Sequence, residues 1–172
     1  NNYCDEQLAC IKPLQNTLFE ELKARIVKDD NSVPVKDGKY WYHSEVRGDD
    51  EYARHYRSSS MAMADKELLL DVNALANGYE FYELGEVALS PNEQLMAYSE
   101  DTDGRRIYTV RFKDLSSNKM LDDVLEITEG QVVWANDNKT VFYVKKDLKT
   151  LLGYQVFRHE LGTEQHQDVL VY

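Results

Sequence analysis

Two stretches of this sequence repeat at a spacing close to 45 residues. The run Val87–Tyr98 aligns with Val132–Tyr143, and the run Tyr108–Leu115 aligns with Tyr154–Leu161, so that equivalent residues lie 45 or 46 positions apart. A looser, earlier copy begins at Tyr40. A period of about 45 residues with three or four strands per unit is typical of β-propeller blades. The WD40 and kelch patterns are absent, which indicates another propeller class.

Turn-forming residues stand before the apolar runs, as expected for β-hairpins. The clearest strand has Tyr108, Val110 and Phe112 on one face and polar residues between them, and this alternation predicts one buried face. The predicted turns are Asp37-Gly38, Asn92-Glu93, Asp103-Gly104 and Asn136–Asn138.

The first 32 residues have a helical pattern. Leu18, Leu22 and Ile26 recur at helical spacing and form an apolar stripe, which predicts contact either with the rest of this chain or with a part outside it. Thr17 and Glu20 match a capping box, and Pro13 predicts a break from a shorter preceding helix. We therefore divide the chain into a helical arm, residues 1–32, and a β domain, residues 33–172.

The β domain is too short to close a ring. At about 45 residues per blade it contains about three blades, whereas propellers close with roughly four to eight. We expect the natural polypeptide to continue beyond Tyr172, because the run Asp168–Tyr172 ends inside a strand-like stretch. Unpaired strand edges also predict an edge-paired or swapped homo-oligomer of this chain.

Composition limits the classes of partner. The net charge is −11, which disfavours nucleic acid and anionic membranes as partners. No run approaches the roughly 18 apolar residues of a membrane span, and no signal peptide is recognisable. Cys4 and Cys10 match no metal-binding spacing, and we expect free thiols in a reducing cytoplasm.

No catalytic motif is present in the sequence. A Gly-x-Ser-x-Gly nucleophile elbow is absent, as are the phosphate-binding glycine motifs. Ser116 and Lys119 match Ser-x-x-Lys but fall between two strands, where a hairpin turn is the better interpretation. The sequon Asn138-Lys139-Thr140 lacks any secretion signal, so we treat it as chance.

Metal sites are also poorly supported. The histidines are His43, His55, His159 and His166, and we interpret them as surface strand and loop residues rather than ligands. The run Ser99–Gly104 is similar to a calcium loop, but Val110 stands where a bidentate Glu is required, so a hairpin turn is favoured. We assign no catalytic, cofactor-binding or metal-binding residue.

Many short segments resemble oligopeptidase B (protease II), a branch of the prolyl oligopeptidase family of serine peptidases. They follow one another in the same order along nearly the whole chain: Lys12–Glu21, Tyr40–Tyr42, Leu69–Ala76, Leu89–Pro91, Leu95–Asp101, Arg111–Leu115, Val133–Asp137 and His159–Thr163.

The resemblance implies a two-domain enzyme, in which a seven-bladed propeller covers an α/β-hydrolase domain and admits only small peptides. Oligopeptidase B cleaves after Arg or Lys, its helical arm packs with the hydrolase domain, and its catalytic triad belongs to that domain. The expected fold is therefore mainly β, with about three blades of an incomplete seven-bladed β-propeller after a helical arm. We expect this chain to be inactive alone. The alternative is a stand-alone acidic β-rich module that binds a protein partner.

Overall fold

The computed structural model describes residues 2–172, and its N-terminal part is helical. Helix α1 spans Asn2–Leu8 and helix α2 spans Lys12–Ala24, with a 3₁₀ turn, Ala9–Ile11, between them. Pro13 lies in the first turn of α2, where its missing N–H costs nothing. The capping-box prediction is wrong. Thr17 lies inside α2 and its Oγ1 donates to the Pro13 carbonyl at 3.0 Å, as hydroxyls within helices do.

The first antiparallel sheet follows the helices. Strands β1 and β2 both pair with β3, which pairs with β4, which pairs with β5. Pro34 lies between β1 and β2, where its missing N–H interrupts the ladder. Because β1 already pairs with β3, the sheet begins slightly before the proposed boundary at residue 32, which remains a prediction. The strands are β1 (Asp30–Asn31), β2 (Val35–Asp37), β3 (Tyr40–Val46), β4 (Arg54–Ser58) and β5 (Glu67–Asp71).

A short helix, α3 (Val72–Ala76), leads out of the first sheet. Its N-cap is Asp71, whose Oδ1 accepts from the backbone N–H groups of Asn73 at 3.1 Å and Ala74 at 3.4 Å.

The second sheet is an antiparallel meander of seven strands in chain order. Its strands are β6 (Glu83–Leu89), β7 (Leu95–Asp101), β8 (Tyr108–Asp114), β9 (Lys119–Trp134), β10 (Thr140–Lys146), β11 (Gly153–Glu160) and β12 (Val169–Leu170).

Strand β9 connects two halves of this second sheet. Its first part pairs with β8 as far as Thr128, which also pairs with Lys145 of β10, and its last part, Val132–Trp134, pairs with Val141–Tyr143 of β10. Ile127 and Gly130, on either side of Thr128, have φ of 58° and 92°, so the strand turns where it changes partner. The structure therefore contains two hydrogen-bonded sheets where the sequence predicted about three separate units, because the second and third units share one continuous strand.

Buried apolar residues form two core clusters. One cluster joins Leu69 and Leu70 of the first sheet to Met96 and Tyr98 of the second. The other lies between the two halves of the second sheet and includes Phe112, Val141 and Tyr143. The predicted alternation in β8 is confirmed, since Val110 and Phe112 are fully buried.

The two N-terminal helices, α1 and α2, contribute no residue to this buried core. Their apolar stripe stays exposed, with 49% of Leu18 and 62% of Leu22 accessible to solvent. Among residues 2–172, no helix is long and apolar enough to cross a lipid bilayer.

Candidate functional site

Three hairpins form corresponding turns at one end of the sheets. They connect β2 to β3, β6 to β7 and β9 to β10, and each contains one residue with a left-handed backbone: Gly38 (φ 53°), Glu93 (φ 60°) and Asn138 (φ 60°). Glu93 and Asn138 are 45 residues apart. The backbone thus repeats at the spacing that the sequence repeat indicated.

The side chains of these turns connect one hairpin to the next. Glu93 Oε1 accepts a hydrogen bond from the Lys39 backbone N–H at 2.8 Å, and Asn138 Oδ1 accepts one from the Asn92 backbone N–H at 2.7 Å. Trp134 adds a bond from its Nε1 to the Ala88 carbonyl at 3.2 Å. We call these contacts between neighbouring hairpin units the hairpin seam.

Glycine is required at position 38 for two reasons. Its backbone is left-handed, and a Cβ added there would overlap the Glu93 carboxylate. The Arg57 guanidinium supports the same junction, because Nη1 donates to the Glu93 carbonyl at 2.7 Å and Nε donates to Glu67 Oε2 at 2.8 Å. The first sheet is therefore joined to the second through a network centred on Glu93.

A cavity of about 480 Å³ lies between the two sheets beside the seam. Burial, with the nearby Glu93 charge adding to it, raises the pKa of Tyr42 to about 12, and burial lowers the pKa of His55. Both side chains are therefore neutral near pH 7. The cavity is lined by Ser32, Val33, Val35, Asp37, Tyr42, His43, Ser44, His55, Tyr56, Leu69, Leu70, Val87 and Leu89.

A second cavity, of about 740 Å³, lies at the opposite end of the second sheet. It includes the β7–β8 turn and the start of the last part of β9, and its lining is rich in cations. The lining residues are Gly104, Arg105, Arg106, Tyr108, Glu129, Gln131, Lys146 and Leu151. Sequence analysis assigned Asp103-Gly104 to a turn but did not assign any role to the adjacent Arg pair or to Lys146, which lies 40 residues away.

The interpretation of the histidines as surface residues is wrong for His159, which is completely buried, and for His43, whose side chain is only 8% exposed. The Nδ1 of His159 lies 2.6 Å from Asp168 Oδ1 and its Nε2 lies 3.2 Å from Asp123 Oδ1. Since both ring nitrogens face carboxylates, His159 joins β9, β11 and the segment before β12, and neither nitrogen is left to activate a nucleophile. His166 is exposed, as predicted.

His43 belongs to a charged group around Glu45 on the first sheet. Glu45 is buried and accepts from His43 Nε2 at 2.8 Å, from Arg47 Nε at 2.9 Å and from Lys66 Nζ. Burial alone would raise the pKa of Glu45, but the hydrogen bonds from Lys66, His43 and Arg47 outweigh it and lower that pKa to about 2.

The predicted turns lie where they were expected. Ser116 lies in the turn between β8 and β9, with its Oγ donating to Asp114 Oδ1 at 2.6 Å, and Lys119 is the first residue of β9. Asp101 closes the β7–β8 turn by accepting from backbone N–H groups, including that of Gly104 at 3.0 Å. Within residues 2–172 no group of three or more His, Cys, Asp or Glu side chains has the geometry of a metal site.

The comparisons with known proteins agree with this architecture. Residues 1–172 match the family model "Prolyl oligopeptidase, N-terminal beta-propeller domain". Dipeptidyl aminopeptidase BI from Pseudoxanthomonas mexicana is 39% identical over 187 aligned residues, which cover all of this chain and 26% of that protein.

Two solved structures have the same fold over almost the entire chain. Oligopeptidase B from Leishmania major has a TM-score of 0.89 and 33% identity, covering 98% of this chain and 24% of that one. Oligopeptidase B from Trypanosoma brucei, in a closed form with covalently bound antipain, has a TM-score of 0.86 and 31% identity, covering 99% of this chain and 24% of that one.

This chain therefore spans about a quarter of the length of these relatives. The sequence resemblance to the prolyl oligopeptidase family is confirmed by the family match and by the structural likeness. The mainly β fold with N-terminal helices and antiparallel sheets is that of the relatives' propeller domain. On this evidence, the chain belongs to the prolyl oligopeptidase family and corresponds to its N-terminal β-propeller domain.

Proposed function

We propose that this chain is the non-catalytic N-terminal part of a serine oligopeptidase that cleaves short peptides after Arg or Lys. In this proposal the propeller restricts access of substrates to a hydrolase domain elsewhere in the polypeptide. The observation that carries it is the likeness to oligopeptidase B, at a TM-score of 0.89 over 98% of the chain. His159 is buried and both of its ring nitrogens face carboxylates. This arrangement supports a structural rather than a catalytic role for His159.

The hairpin seam supports a count of three blades. In this interpretation the first sheet is one blade, and the second sheet contains two blades that share β9. The left-handed residues Gly38, Glu93 and Asn138 then occupy one equivalent position in each blade. Because three blades do not close a ring, the remaining blades belong to polypeptide outside this chain.

The exposed helices suggest how the hydrolase domain attaches. Leu14, Leu18 and Leu22 lie on one face of α2 and are each about half exposed or more. Burying a leucine side chain contributes roughly 1.5–3 kcal/mol, so this stripe is sufficient for a stable contact. We propose that it packs on the hydrolase domain.

The free, exposed Cys4 and Cys10 suit a reducing cytoplasm.

A second activity is favoured by one comparison. The relative at 39% identity is named a dipeptidyl aminopeptidase, and such an enzyme requires a free peptide N-terminus. This activity differs from internal cleavage after Arg or Lys in its products, although both use the same family scaffold.

Two reporter peptides separate these activities in the full-length polypeptide. We expect hydrolysis of an N-terminally blocked arginyl amide reporter, abolished by a serine-directed inhibitor. Hydrolysis of unblocked dipeptide amides alone would support the aminopeptidase instead. Hydrolysis by the purified 172-residue chain would refute its non-catalytic role. If the reading frame stops after Tyr172, the stand-alone binding module becomes the better explanation.

A further inference from the structure

Three cationic side chains converge on the cavity at the β7–β8 turn. Arg105 and Arg106 come from the turn itself, and Lys146 comes from the end of β10. Throughout the described chain, residues 2–172, none of the three forms an ion pair. Within residues 2–172, eight of the 20 Lys and Arg residues form an ion pair with Asp or Glu, and these three are among the cations left without one.

Lys146 is the most informative member of the group. It is only 7% exposed, and its Nζ donates to the carbonyl of Arg106. Burying an ammonium group without a counter-charge is costly unless an anion compensates it. The carboxylate of Asp101 accepts hydrogen bonds from three backbone N–H groups of the turn, and it forms no ion pair with Lys146.

The one carboxylate in the cavity lining is also engaged elsewhere. Glu129 Oε1 accepts from the backbone N–H of Gly153 at 2.9 Å. The lining thus has three cations and one committed anion, together with the Tyr108 ring and the Leu151 side chain. The Tyr108 ring and the Leu151 side chain provide apolar surface that an organic anion can contact and an inorganic anion cannot.

In the three-blade interpretation proposed above, the last part of β9 is an innermost strand, and the cavity lies beside it. Gln131 belongs to its lining and begins the last part of β9, and Trp134 at the end of that strand bonds to Ala88 of β6. Innermost strands of adjacent blades meet around the central channel of a propeller. A peptide that enters along this axis therefore passes the cavity.

We propose that Arg105, Arg106 and Lys146 bind the carboxylate of a peptide at the rim of the propeller. Guanidinium groups bind carboxylates through two hydrogen bonds, a geometry that a single ammonium does not provide. The buried Lys146 adds a third positive charge to the site. This inference rests on the proposed function, because the ligand is a peptide of the class that the enzyme would admit. The carboxylate belongs either to the peptide C-terminus or to an acidic side chain.

The test measures binding directly in the full-length polypeptide. Fluorescent tetrapeptides without Arg or Lys, which are not cleaved after those residues, are compared by polarisation as free acids and as C-terminal amides. A second pair exchanges Glu for Gln in the peptide. We expect the free acid, or the Glu peptide, to bind at least about fivefold more tightly than its neutral partner, as one charge-assisted contact provides.

Variants locate the site. Arg105→Gln and Arg106→Gln should each reduce this preference about fivefold and leave binding of the neutral peptide unchanged. Lys119→Gln removes the same charge from the opposite end of the second sheet and should change neither. Equal affinity for acid and amide in both pairs, or an equal loss in Lys119→Gln, would overturn the proposal, as would competition by inorganic phosphate as strong as that by the free acid.

Hydrolysis of the arginyl reporter is measured in the same preparations. In the unsubstituted polypeptide, equal binding of the carboxylate and neutral peptides together with normal hydrolysis refutes the cavity proposal alone. Absent hydrolysis with retained carboxylate preference refutes the peptidase activity alone.

Discussion

Replacement of Gly38 by alanine tests the junction between the first and second sheets. The site has φ of 53°, and an added Cβ would overlap the Glu93 carboxylate that accepts from the Lys39 N–H. Gly48 provides a matched control, because its φ is 57° and a Cβ there meets no atom within 4 Å. Both substitutions place an alanine in a left-handed backbone conformation, but only Gly38→Ala also displaces the Glu93 carboxylate.

The expected magnitudes follow from these two environments. A left-handed alanine costs about 1–2 kcal/mol, offset by about 0.4–1 kcal/mol because alanine restricts the unfolded chain. Gly48→Ala should therefore lower the free energy of unfolding by about 1 kcal/mol. Gly38→Ala additionally breaks a hydrogen bond to a charged group, worth about 1.5–3 kcal/mol, and should cost about 2.5–4 kcal/mol.

A double variant distinguishes this explanation from general strain. Glu93→Ala removes both the clash and the hydrogen bond, so adding Gly38→Ala to it should cost only the backbone term of about 1 kcal/mol. The free energy of unfolding is measured by urea denaturation, and hydrogen exchange at the Lys39 amide reports the local contact. Equal costs for Gly38→Ala and Gly48→Ala, or full additivity with Glu93→Ala, would refute the reasoning.

Three further predictions concern buried charges and the arm. Glu45 has a pKa lowered from 4.5 to about 2, so its carboxylate stabilises the fold above pH 4.5 and this contribution is lost as the pH falls toward 2. Glu45→Gln should therefore flatten the pH dependence of the free energy of unfolding, measured by urea denaturation, over that range. His159→Gln should cost about 3–5 kcal/mol, since it leaves two buried carboxylates without their shared partner, whereas the exposed His166→Gln should change stability by less than about 0.5 kcal/mol in the same assay. The double substitution Leu18→Asp and Leu22→Asp should weaken attachment of the arm in the full-length polypeptide by about 3–6 kcal/mol. The loss should be seen as faster proteolysis at the helices. The melting temperature of the isolated chain should not change, because the stripe is exposed there.

Local patterns were sufficient for much of the secondary structure. The alternation in β8 correctly predicted the buried Val110 and Phe112, because neighbouring side chains of a strand must point to opposite faces. The turn at Asp103-Gly104 was also identified, because both residue types favour tight reversals. The capping box at Thr17 failed, since the same residues fit the middle of a helix that begins at Lys12.

The number of separate sheets was not readable from the repeat. Periodicity identifies equivalent strands, but it does not show whether adjacent units are joined by hydrogen bonds. The left-handed turns at Ile127 and Gly130 let β9 continue from one unit into the next, and this depends on the packing of both neighbours. The blade count therefore remains a prediction that rests on the hairpin seam.

The amino-acid sequence by itself determined the β-rich class, the unit length of about 45 residues and the family resemblance, because these depend on short-range alternation and turn chemistry. Only the tertiary structure decided that His159 is buried between Asp123 and Asp168, or that Arg105, Arg106 and Lys146 meet at one cavity. Apart from the adjacent Arg105 and Arg106, the members of each group lie between 9 and 45 positions apart in the chain, and no local interaction specifies which distant side chains the folded sheets bring together.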